Sequence, residues 1–175
     1  MKGFLSFSGS DDTFFNVAMP WVKLMDENEI KVASIYSNPV DLYKGQYSTS
    51  AMHARDFYVG LITVKGKTLE RALNEWKVAL ESDKPTILLL DDKVKLPEGA
   101  VLNSSKVIRF NKNNPQKAIQ LIEAQMTKCP PFTNEKGVPV INRVACYFCC
   151  LSALTIIQQL TRLQKVQAQE AVLAA

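Results

Sequence analysis

Apolar and polar positions follow two rhythms along this chain, and the rhythm switches repeatedly between a period of two and a period near 3.6. Residues 3–8 (Gly-Phe-Leu-Ser-Phe-Ser) alternate apolar with small polar positions and run into Gly9-Ser10-Asp11-Asp12, the pattern of a strand entering a helix-capping loop. A helix is predicted over 13–25 and a second strand over 30–36, which Ser37-Asn38-Pro39 breaks before a loop over 40–45. Residues 57–63 (Phe-Tyr-Val-Gly-Leu-Ile-Thr) are a continuous apolar run of the kind buried on both faces of a sheet. Over 68–82, Leu69, Ala72, Leu73, Trp76, Ala79 and Leu80 recur at helical spacing, so Trp76 is read as core. Residues 86–90 and 106–110 predict a fourth and a fifth strand, and 115–126 a helix with Pro115 in its first turn.

Strands alternating with helices in units of roughly 30 residues predict βαβ connections. The expected fold is therefore α/β, a five-stranded parallel sheet flanked by helices on both faces, over residues 1–128. Ligands of such sheets bind outside the carboxyl ends of the strands, which here gathers 8–12, 37–45 and 63–68 on one rim.

After Cys129-Pro130-Pro131 the character changes, and 129–175 is expected to be a helical appendage. Its uninterrupted apolar core, 144–151, is shorter than the ~18–20 residues of a membrane-spanning helix. Membrane contact is therefore not favoured. Cys149, Ala153, Ile156, Leu160 and Leu163 form a seam suited to packing on another helix, either on the chain's own domain or between two chains.

Charge narrows the function classes. The 21 Lys+Arg and 17 Asp+Glu are interleaved instead of clustered, so no nucleic-acid footprint is visible. The start turns polar by Ser8, too soon for a secretory signal, and a cytoplasmic location is expected. Cys146 and Cys150 would be neighbours on a helix. His53 is the single histidine and no second Cys/His pair completes a zinc site, so no metal is expected and the four cysteines are read as small buried hydrophobes. With one histidine and no Gly-x-Ser-x-Gly elbow, serine and cysteine hydrolase arrangements also lack support.

Three segments carry a resemblance. Phe4-Leu5-Ser6-Phe7-Ser8-Gly9-Ser10-Asp11-Asp12 resembles the opening strand and loop of Toll/interleukin receptor (TIR) domains. Leu42-Tyr43-Lys44-Gly45 is similar to the Leu-x-x-Gly element of that family's BB loop. Asn74-Glu75-Trp76 through Asp83-Lys84-Pro85 resembles the helix that carries the family's glutamate. The order and spacing match over about two thirds of the chain, although Arg71 and Ala72 stand where many members have Cys or Trp.

The resemblance implies a TIR/flavodoxin-like fold and an enzyme that cleaves the nicotinamide–ribose bond of NAD, a substrate and not a cofactor, for signalling or defence. It implies Glu75 as the catalytic carboxylate, with Phe7, Ser8, Gly9, Ser10, Asp11, Tyr43, Lys44 and Gly45 as substrate-binding residues and self-association as the activating step. From periodicity alone, Glu75 is a helix glutamate paired with Arg71 four residues earlier. Similarly, Ser10 with Asp11 and Asp12 beside it reads as an N-cap more readily than as a phosphate site. Two rival functions stand beside the first: a non-catalytic TIR interaction module, and a nucleoside N-ribosyl hydrolase or deoxyribosyltransferase-like enzyme.

Overall fold

The computed structural model describes residues 1–34, 52–64, 66, 68–98, 100, 104–129 and 141–173, so the expected loop residues Tyr43, Lys44 and Gly45 lie outside the described residues. Strands β1 (Lys2–Ser8), β2 (Lys31–Ser34), β3 (Phe57–Ile62), β4 (Thr86–Asp91) and β5 (Val107–Phe110) form one sheet in the order β2-β1-β3-β4-β5. Every neighbouring pair is parallel. This is the expected α/β class, in the strand order of flavodoxin-like folds. The connection leaves β1 toward β2 on one side and later resumes at β3 on the other, so the topological switch lies between β1 and β3.

Strands β3 and β4 are buried at every position, as the unbroken apolar runs predict. Leu5, Phe7, Val59, Leu61 and Leu89 point into one core layer, and Phe4, Tyr58, Ile62, Leu88 and Leu90 into the other. Helix α3 (Leu69–Leu80) covers the second layer with Ala72, Trp76 and Ala79, so Trp76 is core as expected.

The first helical segment differs from a plain helix over 13–25. It opens as α1 (Asp11–Thr13), widens into a π-helical stretch (Phe14–Ala18) and continues as α2 (Met19–Glu27). Ser10 caps its start, accepting the Thr13 N–H at 3.3 Å, which moves the beginning ahead of the expected one. The wide turn falls just before Pro20, whose ring nitrogen has no N–H to continue the regular ladder.

Helix α4 (Gln116–Met126) follows β5, and helix α5 (Ile141–Leu173) then lies against β3, β4, α4 and the π-helical stretch. Ala145, Cys149, Ala153, Ile156, Ile157 and Leu160 are each at most 3% exposed within the first core layer. The seam is therefore docked on its own sheet as far as Leu160, with Leu163 partly buried against the same layer. By length and composition α5 can cross a membrane, yet its apolar side faces the sheet and only the stretch from Lys165 to Leu173 is continuously exposed.

One cysteine expectation is corrected. Cys149 and Cys150 are buried as free thiols, but Cys129 and Cys146 form a disulfide with Cα atoms 5.9 Å apart. The packing of α4 beside α5 delivers the two within bonding reach, a tertiary proximity that spacing along the chain does not reveal.

Because Ile156 is fully buried, Ile156→Asp should destabilise the whole fold by about 4 kcal/mol or more, the scale for an unpaired charge forced into a core. Leu173→Asp, at an 88% exposed position, should leave the urea midpoint unchanged. Equal urea midpoints for the two variants would show that α5 is not part of the core.

Candidate functional site

Glu75 occupies a position in the inward stripe of α3, between Ala72 and Ala79, where an apolar residue would cost least. It is 8% exposed. The neighbouring strand answers with Ser6, whose hydroxyl donates to Glu75 Oε2 at 2.6 Å and also lies 3.3 Å from the Ala72 carbonyl. A serine hydroxyl has one proton, so with Glu75 ionised the shorter bond takes it. With Glu75 protonated, the carboxyl can donate to Ser6, and Ser6 in turn to Ala72 O, so the network can satisfy both charge states. Arg71, one turn earlier, places Nε 3.5 Å from Glu75 Oε1, the pairing that helical spacing suggests.

The depth of Glu75 is set by how α3 starts. Thr68 Oγ1 and Arg71 Nη2 both donate to the Phe7 carbonyl, at 3.2 and 3.4 Å, which fixes the beginning of the helix to the carboxyl end of β1. Glu75 follows Thr68 by seven positions, about 10 Å down the helix axis, with Arg71 between it and the rim. Burial pushes the Glu75 carboxyl above its ordinary 4.5, and the Ser6 hydrogen bond and the Arg71 charge pull the other way.

The predicted binding residues divide between the two faces of the sheet. Ser8 shares the Glu75 side with Ser6 by the alternation of a strand, but it is fully buried. Gly66 covers it: a Cβ there would meet Ser8 Oγ at 2.1 Å and the Ser8 carbonyl carbon at 2.8 Å, so only glycine permits this closure. Gly9 lies under the same loop, its own Cβ direction blocked by Thr63 Oγ1 at 2.6 Å. The Phe7 side chain is on the opposite face, in the core against Phe14 with ring centroids 5.7 Å apart, and only its carbonyl reaches the Glu75 side. The Phe7 side chain therefore belongs to the core, and only its backbone can take part on the Glu75 side. Ser10 is an N-cap, as preferred, and Asp11 is exposed beside it. Thus Glu75 and Ser8 share a face, whereas Ser10 lies toward α5, and Tyr43, Lys44 and Gly45 are outside the described residues.

A second polar cluster, which the sequence reading passed over, sits at the carboxyl ends of β4 and β5. Asp91 is 1% exposed, accepts the Lys93 N–H at 3.1 Å and lies 3.5 Å from Lys112 Nζ. It lines a cavity of about 190 Å³ with Asn111, Lys112 and Gln164, and an adjoining one of about 220 Å³ reaches Ser10 and Asp12 under Leu160 and Leu163. Each is smaller than the ~300–1,000 Å³ of typical ligand pockets, so neither alone accommodates a dinucleotide. The signal available in the sequence was the abrupt Leu88-Leu89-Leu90-Asp91-Asp92: a carboxylate ending a buried strand must find a partner.

The chain matches no protein-family model, no curated protein and no solved structure.

The raised Glu75 pKa has a testable thermodynamic sign. A carboxyl that holds its proton more tightly in the folded state contributes stability below its unfolded pKa, and that contribution is lost as pH rises through the folded value. Wild type should therefore lose stability relative to Glu75→Gln as pH rises from about 4.5. Urea midpoints of the two proteins, measured across pH 3–8, should diverge in favour of Gln; midpoints that diverge the other way would mean that Ser6 and Arg71 outweigh burial.

Proposed function

We propose that this chain is an NAD-consuming N-glycosidase of TIR type, cleaving the nicotinamide–ribose bond to give nicotinamide and ADP-ribose or a cyclised product, with Glu75 as the catalytic carboxylate. The observation that carries the reading is a glutamate held in the apolar stripe of α3, 2.6 Å from Ser6 on the strand beside the topological switch. A carboxylate in that setting costs stability, as its raised pKa records, and such tension between stability and placement marks functional sites.

The chemistry suits one acidic group. Nicotinamide in NAD is already cationic and leaves neutral, so no general acid is required. Positive charge grows on the ribose as the bond stretches, and a preorganised carboxylate in a water-poor pocket stabilises it there. In this reading the ribose reaches Glu75 from the Arg71 side, and Arg71 turns away so that its charge does not cancel that of the carboxylate. Self-association completes the site through surfaces other than the α5 seam. The protein works in the cytoplasm as a signalling or defence effector, and the cleavage step uses neither a metal nor a bound cofactor, nor does the protein bind nucleic acid.

A second reading has an observation of its own. Both Glu75 oxygens already have partners in Ser6 and Arg71, which suits a structural pair inside a non-catalytic TIR interaction module. Product analysis after incubating concentrated protein with NAD, nicotinamide mononucleotide and free nucleosides separates the readings. An interaction module leaves all three intact, and a nucleoside N-ribosyl enzyme prefers the nucleosides.

For the leading reading, Glu75→Gln should lower NAD turnover about a hundredfold, the scale for one preorganised electrostatic group. The kcat/KM profile should rise with pH along a limb above 4.5, because the ionised carboxylate is the working form. Ser6→Ala removes a hydrogen bond to that form and should shift the limb to higher pH. Unchanged turnover in Glu75→Gln refutes the assignment.

A further inference from the structure

Three sulfur atoms meet where α4 ends and α5 begins. Cys146 and Cys150 are one turn apart on the same face of α5, and Cys129 arrives from the turn that closes α4. The three Sγ atoms all lie within 4.8 Å of one another, and Cys129 Sγ is 4.0 Å from Cys150 Sγ. A cation bound ~2.3 Å from each of three thiolates spaces the sulfurs by about 4 Å. Cys129 and Cys150 already stand at that spacing, so Cys146 is the sulfur that must swing once its bond to Cys129 opens. The fourth cysteine is excluded by direction: Cys149 Sγ donates to the Tyr58 carbonyl at 3.3 Å, inside the sheet core.

We propose that Cys129, Cys146 and Cys150 form a three-thiolate site for a thiophilic cation of the Zn²⁺ class, exposed by reduction of the Cys129–Cys146 disulfide. The balance is simple. A dithiol reductant delivers two electrons and two protons, the Sγ–Sγ bond breaks into two thiols, and the reductant leaves as its own disulfide. The cation then displaces the thiol protons and takes three sulfur ligands, with solvent at its remaining position. Cys129 and Cys146 are half-buried and therefore reachable by the reductant, whereas Cys150 is 3% exposed. An all-sulfur set selects Zn²⁺ and Cd²⁺ over Mg²⁺ and Ca²⁺. Both states join the same two helices, one by a covalent bond and the other by a coordinated ion.

The test uses the full chain, reduced with a dithiol, freed of reductant under anaerobic conditions, and titrated with Cd²⁺ and with Zn²⁺. One ion per chain is expected, with the ultraviolet charge-transfer absorption of cadmium thiolates and a thermal midpoint that rises with ion concentration. The oxidised protein should bind none. Cys129→Ser and Cys150→Ser should each weaken binding at least tenfold, whereas Cys149→Ser should not. Should Cys150→Ser fail to fold, the half-buried Cys129→Ser gives the answer. Absence of Cd²⁺ binding in the reduced wild type, or full-strength binding in Cys129→Ser, overturns the proposal.

Discussion

A parallel sheet buried on both faces must be covered on both, and most of this structure follows from that requirement. The strands cannot leave either side to water, because Leu5, Val59 and Leu89 face one way while Phe4, Tyr58 and Leu88 face the other. On one side the amphipathic α3 supplies cover, with Ala72, Trp76 and Ala79. The other side needs a helix over β3 and β4, and α5 fills that place between α4 and the π-helical stretch. Its small residues, Ala145, Cys149 and Ala153, allow the close approach that a central covering helix requires. The same packing brings Cys129 to Cys146.

Polar groups placed inside such a sandwich acquire consequences that they would not have at the surface. Ser6 and Glu75 satisfy each other across the strand–helix boundary, and Asp91 is held between the Lys93 N–H and Lys112 at the end of β4. Asp91 sits at the carboxyl end of β4, where strand ends and loops relax the packing enough to admit charge, whereas Glu75 lies deeper, below Arg71 and the rim. They serve different sides of the sheet. Gly66, seated on Ser8 and Gly9, closes the ground between β1 and β3 at the rim.

The strand and helix pattern was readable because periodicity reports burial directly, and for β3, β4 and α3 the observed ends fall within a residue or two of the apolar runs. The Arg71–Glu75 pair was readable too, since a helix makes neighbours of residues four apart. What escaped was tertiary. The resemblance named Phe7 without saying which of its atoms would face a ligand, and the strand's alternation turns its ring toward Phe14, away from Glu75. Ser6 could have been noticed as a polar residue inside a buried strand, although which helix would answer it depended on how α3 docks. The seam on α5 advertised a partner without naming it, and that partner is the chain's own sheet. The disulfide joins two segments whose proximity exists only after α4 and α5 pack.

The position of α5 in the chain also bears on how the protein is made. The face of β3 and β4 that it covers is synthesised well before it: at about 5–20 residues per second, the stretch from Leu90 to Ala145 takes on the order of several seconds to emerge. Throughout that interval Val59, Leu61 and Leu89 belong to a nascent chain that cannot yet bury them. Premature sheet formation would therefore present an apolar surface to other molecules, and chaperone binding is expected to fall in that window. A truncation that stops short of Ile156 would leave the hazard permanent.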